Sequence, residues 1–107
     1  MKRLTETLFV VFLLTALFWG ATKMSAQSFR PKDGFVPDEK TAIRIAEAVL
    51  SPIYGEQKIA SERPFSAKLK SGVWIVTGSL PEGWEGGVAE ARISKRTGEI
   101  LGVTHGM

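Results

Sequence analysis

The chain contains no cysteine and only one histidine. The absence of cysteine excludes disulfides, a thiol nucleophile and a lipid attached through cysteine, although small exported domains often depend on disulfides for stability. A hydrolytic triad would need the single histidine, His105, beside a serine or cysteine and an orienting carboxylate. The alternation of apolar residues in the last segment indicates instead a histidine at the edge of a core. We therefore expect a protein that is not an enzyme.

Metal and nucleic-acid sites also lack the residues they need. With one histidine and no cysteine, a metal would need carboxylate ligands, and the sequence has no EF-hand or HExxH spacing. The glycines at positions 83, 86 and 87 are not followed by the lysine and serine or threonine of a phosphate-binding loop. No block of basic residues is present that could follow a phosphate backbone. We expect no metal, no cofactor and no nucleic-acid partner.

The segment 1–26 is typical of a secretory signal peptide. Lys2 and Arg3 precede an apolar run from Leu8 to Ala21, and the small residue Ala26 offers a cleavage position. The predicted protein is exported, either periplasmic or secreted, with no stable membrane insertion after cleavage. Because a spanning helix needs about 20 apolar residues, an uncleaved anchor that tethers the protein to the membrane is the alternative.

Cleavage changes the charge of the chain. It removes three basic residues and one acidic residue, which lowers the formal net charge from +3 to +1. The remaining segment, 27–107, suffices for one small domain. A domain of this size buries only roughly 60% of the surface that its unfolded chain exposes, so its free energy of unfolding is small. Without disulfides, the apolar core or a partner must supply the stability.

The sequence predicts an irregular lead-in over residues 27–36 and a single helix-plus-sheet domain over residues 37–107. Asp38 is the predicted N-cap of the helix, and an apolar stripe follows at helical spacing. Pro52 is expected to kink or end the helix, and Gly55 suits the left-handed residue beyond it. The members of the stripe are Ala42, Ala46, Val49, Leu50 and Ile53.

A polar stretch, EQKIASER (residues 56–63), separates this helix from segments in which apolar residues alternate with a period of two. The predicted strands cover residues 65–69, 73–80, 88–94 and 99–105, joined by tight turns. The expected fold is α+β, with one N-terminal helix packed on a four-stranded antiparallel meander.

The strand at 73–80 is apolar on both faces, whereas the single predicted helix can cover only one face of the sheet. Trp74, Val76 and Leu80 point to one side, and Val73 and Ile75 to the other. Either residues 27–36 fold back over the second face with Phe29 and Phe35, or that face is left for a partner, or its apolar residues are ordinary scattered surface residues. A large uncovered apolar patch usually marks an interaction surface. Val73 and Ile75 are therefore candidate contacts for a protein partner, with a homodimer as a further alternative.

The segment GSLPEGWEGG (residues 78–87) is predicted to end one strand, turn, and begin the next. Trp84 in this loop either folds back as a lid over the end of the sheet or anchors a protein contact, where tryptophan is enriched. Glu82 and Glu85 flank Trp84 and are expected to be solvated charges, because a glycine-rich loop does not desolvate a carboxylate for acid–base chemistry. These three residues are candidate protein contacts.

An ordered set of short motifs covers about residues 36–107. The motifs are a helix that ends in PIYG, a PF strand, a W-x-V-x-G-x-LP strand, a GG start to the next strand, and a final HG. They are supplied by Pro52-Ile53-Tyr54-Gly55, Pro64-Phe65, Trp74, Val76, Gly78, Leu80-Pro81, Gly86-Gly87 and His105-Gly106. This ordered set resembles the nuclear transport factor 2 fold immunity proteins of bacterial polymorphic toxin systems.

The resemblance implies a cystatin-like or nuclear transport factor 2-like fold, here truncated, without catalysis, that neutralises a cognate toxin by binding it. The short chain counts against the deep pocket in which enzymes of the wider superfamily work. TAIRIAEAVL, VWIV and SKRTGEIL are also similar to the PepSY-type domain, which implies an exported peptidase inhibitor or a small-ligand-binding module as the alternative. The immunity family matches more of the motifs and is preferred.

Overall fold

The computed structural model describes residues 28–106, so the predicted signal peptide lies outside the described residues. Within residues 28–106, no helix is both long and apolar enough to cross a membrane. The four strands form one antiparallel sheet in the order β1-β2-β3-β4, which confirms the predicted α+β meander. The elements are α1 (Glu39–Tyr54), α2 (Glu56–Ser61), β1 (Ser66–Lys70), β2 (Val73–Thr77), β3 (Ala89–Ser94) and β4 (Ile100–His105).

The long helix α1 begins where the sequence predicts. The carboxylate of Asp38 accepts a hydrogen bond from the backbone N–H of Thr41 at 2.8 Å, which satisfies one of the free donors of the first turn. The helix continues through Pro52 to Tyr54. Because Pro52 lies in the last turn, its missing N–H leaves only one internal hydrogen bond unmade. Gly55, at φ 102°, then turns the chain.

A second short helix, α2, occupies the polar stretch EQKIASER, for which the sequence predicts no element. Its one buried residue is Ile59. One apolar side chain in this short helix produces no helical stripe, so the pattern gave no signal for it.

Both helices pack on the same face of the sheet. The apolar stripe of α1 and Ile59 of α2 join one buried cluster with side chains of β1, β2 and β3. The members of this cluster are Val36, Ala42, Ala46, Leu50, Ile59, Phe65, Ala67, Trp74, Val76, Ala89, Ala91 and Ile93. The indole N–H of Trp74 donates to the carbonyl of Val36 at 2.8 Å inside this cluster, which ties the lead-in to the central strand.

The lead-in does not cover the second face of the sheet, so the fold-back alternative is wrong. Phe29 and Phe35 are 81% and 53% exposed, and among the lead-in's apolar side chains only Val36 is buried, on the helix side. The N–H groups of Phe35 and Val36 donate to the carbonyls of Arg96 and Lys95. The lead-in therefore runs along the β3–β4 turn, because these backbone hydrogen bonds hold it there.

An irregularity in β4 changes which residues share a face. Ile93 pairs with Ile100, but Arg92 pairs with Gly102, so Leu101 is an extra residue in β4. Such a bulge shifts the alternation by one residue. Ile100 therefore lies on the same face as Val103, although the two residues are three positions apart and a regular strand would place them on opposite faces.

Candidate functional site

Most of the motifs that resemble the immunity family meet at the end of the sheet where β2 ends and β3 begins, which we call the loop end. Trp74 lies towards the other end, beside Val36. The centre of the loop end is Glu62, which is only 3% exposed although its side chain is acidic. A buried carboxylate is stable only when hydrogen bonds replace its lost hydration, and the bonds of Glu62 show what it holds in place.

Glu62 fixes both ends of the loop that contains Trp84. Its main-chain carbonyl accepts from the N–H of Ser79 at 2.7 Å. Its side-chain Oε1 accepts from the N–H of Ala89 at 2.6 Å. Because Ser79 lies at the start of the 78–88 loop and Ala89 directly after it, one residue holds both stems of the loop.

The second carboxylate oxygen of Glu62 binds the last strand. Nε2 of His105 lies 3.0 Å from Oε2 of Glu62, and Nδ1 of His105 lies 2.7 Å from the carbonyl oxygen of Gly106. A carbonyl oxygen and a carboxylate oxygen only accept, so each contact is a hydrogen bond when the ring nitrogen that faces it carries the proton. The contact through Nε2 joins β4 to Glu62, whereas the contact through Nδ1 involves only the adjacent residue.

Tyr54, Gly78 and Phe65 from the other motifs lie beside this pair. The ring of Tyr54, from the PIYG motif, lies with its centroid 5.2 Å from that of His105. A Cβ on Gly78 would lie 2.8 Å from Oε1 of Glu62 and 3.2 Å from the ring of Phe65. The absence of a side chain at position 78 therefore lets Glu62 approach the strand, which gives a packing reason for the glycine in the motif.

The GG and HG motifs contact each other through their backbones. A Cβ on Gly87 would overlap the carbonyl carbon of Gly106. The N–H of Gly106 donates to the carbonyl of Val88 at 3.2 Å. Only glycine at position 87 allows the two backbones to lie this close.

The loop held by these contacts presents Trp84 to solvent. The indole is 70% exposed, and Glu82 and Glu85 on either side of it are exposed as well. The N–H of Trp84 donates to the carbonyl of Pro81 at 3.1 Å, which closes a turn. Trp84 therefore does not act as a lid over the end of the sheet.

The other two candidate contacts lie on the face opposite the helices. Val73 and Ile75 are half-buried there. Ile75 pairs with Lys68 on one side and with Arg92 on the other. The Nε atom of Arg92 lies 3.4 Å from a carboxylate oxygen of Glu90. The face opposite the helices is therefore mixed, with a small apolar centre among charged side chains.

Sequence reasoning missed Glu62, the residue that organises this end. It stands in a run of polar residues between α2 and the PF motif, and nothing in the local pattern distinguishes it from its exposed neighbours. Its burial arises because α2, the 78–88 loop and β4 converge on it. These contacts are distant in sequence, so no short-range signal could have identified Glu62.

His105 differs from the loop residues in its surroundings. Its ring nitrogens contact Glu62 and Gly106, whereas Trp84 and Glu85 are exposed on the loop. Within residues 28–106, no group of three histidine or acidic side chains could hold a metal ion.

Comparison with known proteins gives one finding. The family model described as NTF2 fold immunity protein matches residues 41–107, which is more than half of the chain. No curated protein and no solved structure gives a significant match. The matched range includes every motif that meets at the loop end, from Tyr54 to Gly106. Together with the helix on a four-stranded antiparallel sheet, this match shows that the chain belongs to the NTF2 fold immunity protein family.

Proposed function

We propose that this protein neutralises a toxin outside the cytoplasm by binding it, without catalysing a reaction. Membership of the immunity family supports a binding role. The N-terminal residues, which are typical of a signal peptide, support export. The contacts of both His105 ring nitrogens with Glu62 and Gly106 support a structural role for this side chain.

The observation that carries this proposal is the exposed indole of Trp84 on an anchored loop. A tryptophan that is 70% exposed leaves a large apolar surface in water, and tryptophan is strongly enriched among interface hot spots. Loops bind best when a rigid scaffold positions them. Glu62 supplies that support, since it bonds to both stems of the loop.

The charges beside Trp84 indicate which charges a partner surface would carry. Glu82 and Glu85 are both exposed, so a partner surface with basic groups around an apolar pocket would match this loop. Val73 and Ile75 on the open face of the sheet are the second candidate surface. Their basic neighbours Lys68 and Arg92 would favour the opposite charge on a partner.

A binding and protection experiment tests the function. The protein encoded beside this gene would be purified as an inactive variant and titrated with residues 27–107 by calorimetry. In parallel, the active toxin would be directed to the periplasm of cells that express the full chain. We expect a stable complex and restored growth.

A matched strain would express the chain without residues 1–26, which should retain binding in vitro but fail to protect against a periplasmic toxin. Absence of both binding and protection with the full chain would contradict the proposed function. Protection by the cytoplasmic form alone would contradict export.

A further inference from the structure

Basic side chains cluster at the end of the sheet opposite the loop end. We call this cluster, Arg30, Lys32, Lys95 and Arg96, the basic end. Arg30, Phe35 and Arg96 line one shallow depression. Lys32, Lys95 and Arg96 line a second depression beside it.

The structure holds these side chains together through the lead-in. The backbone N–H of Phe35 donates to the carbonyl of Arg96 at 3.1 Å, and Nζ of Lys95 donates to the carbonyl of Asp33. Asp33 is the one acidic residue that lines either depression. Four basic residues against one acidic residue give the basic end a net positive charge.

Exposed aromatic rings accompany this charge. Phe29 precedes Arg30 and is 81% exposed, and Phe35 is 53% exposed. The pairing of exposed apolar rings with basic side chains is what a surface needs in order to bind anionic headgroups and to insert shallowly between them.

The position of the basic end in the chain indicates which anionic partner it meets. The chain outside the structure ends at Gln27, directly before Ser28, and it contains the apolar run from Leu8 to Ala21. The apolar run of a signal peptide is directed to the membrane, so the basic end follows it to a lipid surface, where basic side chains are attracted to anionic headgroups. The loop end, with Trp84, lies at the opposite end of the strands.

We propose that the basic end binds the surface of an anionic lipid bilayer. Charge from Arg30, Lys32, Lys95 and Arg96 supplies the attraction, and Phe29 and Phe35 supply apolar contact. This arrangement directs the Trp84 loop away from the membrane. The proposal does not depend on a toxin, so its test is independent of the test of the proposed function.

Vesicle sedimentation tests the proposal with residues 27–107. Every residue of the buried cluster lies between Val36 and Ile93, so this part of the chain retains the whole core. Vesicles that contain one part phosphatidylglycerol to two parts phosphatidylcholine would be compared with phosphatidylcholine alone at low salt. We expect binding to the anionic vesicles only, and its loss in about 0.5 M NaCl, because salt screens the attraction.

Two sets of variants identify the surface. The R30Q/R96Q double variant should lower the partition coefficient by roughly 25-fold, since each basic side chain near an anionic surface contributes about fivefold. The R30K/R96K variant keeps the charge and should bind like the wild type. F29A should also weaken binding, because it removes an exposed ring.

The matched control is R44Q/K58Q, which changes the net charge equally at exposed helical positions. Equal weakening by this control would overturn the proposal, because binding would then depend on net charge alone. Equal binding to phosphatidylcholine, or no binding to either vesicle, would also overturn it. Displacement of the protein from the anionic vesicles by soluble poly-L-glutamate at equal charge concentration would overturn the proposal too, because it would indicate an acidic protein as the partner.

Discussion

Glu62 shows how one buried side chain can determine the geometry of a distant exposed residue. Its carboxylate accepts from Ala89 at one stem of the loop and contacts His105 on the last strand. Gly78 beside it has no side chain to push it away. The exposed Trp84 owes its position to these contacts, because its loop is bonded to Glu62 at both stems.

Replacing Glu62 tests this role. E62A leaves the N–H of Ala89 and the ring of His105 without their partner, so we expect a loss of about 2–4 kcal/mol in the free energy of unfolding. In E62Q the amide oxygen can still accept from Ala89, and the amide group keeps a polar partner beside Nε2 of His105. We expect this variant to lose only about 1 kcal/mol. Urea denaturation measures both values.

Hydrogen exchange of the Ala89 amide provides a local readout of the same change. It should accelerate in E62A more than in E62Q, because only the first variant removes the acceptor. If E62A and E62Q changed the exchange rate of the Ala89 amide equally and only slightly, Glu62 would not hold the loop.

The close contact between Gly87 and Gly106 gives a second residue-level prediction. In G87A the new methyl group would overlap the backbone at Gly106, and relief of such crowding typically costs about 1–3 kcal/mol. G102A is the matched control, since no atom lies within 4 Å of the position its Cβ would take. Thermal denaturation should show a lower Tm for G87A than for the wild type, and an unchanged Tm for G102A. A G87A protein as stable as G102A would contradict the contact.

At the scale of elements, the sequence predicted those whose signal is local. The stripe from Ala42 to Leu50 and the N-cap at Asp38 predict α1, because both arise from residues within a few turns. Alternation predicts the four strands for the same reason. Helix α2 and the bulge at Leu101 could not be predicted, since Ile59 alone makes no stripe and the bulge is visible only in the pairing of β4 with β3.

The N-cap of α1 predicts a specific acid sensitivity. Hydrogen bonds from Thr41, through its side chain and then its backbone, lower the pKa of Asp38 from its ordinary value of 3.8. Because the folded-state pKa is the lower one, this stabilisation is fully present above 3.8 and is lost as the pH falls through the folded-state value.

D38N retains a capping oxygen but does not titrate. The Tm difference between the wild type and D38N should therefore be more favourable to the wild type at pH 6 than at pH 2.5. The other carboxylates cancel in this comparison because both proteins contain them. A difference in Tm that does not vary with pH would contradict the contribution of the Asp38 charge.

At the scale of the whole molecule, the two ends of the sheet differ in chemistry. The loop end presents Trp84 with Glu82 and Glu85, and the basic end presents Arg30 and Arg96 with exposed phenylalanines. The sequence placed Trp84 on a loop, because proline and glycines surround it. It could not show that Trp84 is exposed, since that depends on how far the loop stands from the core. The helix-covered face was predicted correctly, whereas the opposite face proved mixed.

The affinity of W84A for the toxin tests the account most directly. Trp84 would be replaced in residues 27–107, with L101A as the control, since Leu101 is 49% exposed on the edge strand. Calorimetric titration should show W84A losing about 1–2 kcal/mol or more of binding free energy, with a Tm equal to that of the wild type and with L101A unaffected. Full affinity in W84A, or a lower Tm with affinity intact, would contradict the claim that the anchored loop binds the toxin.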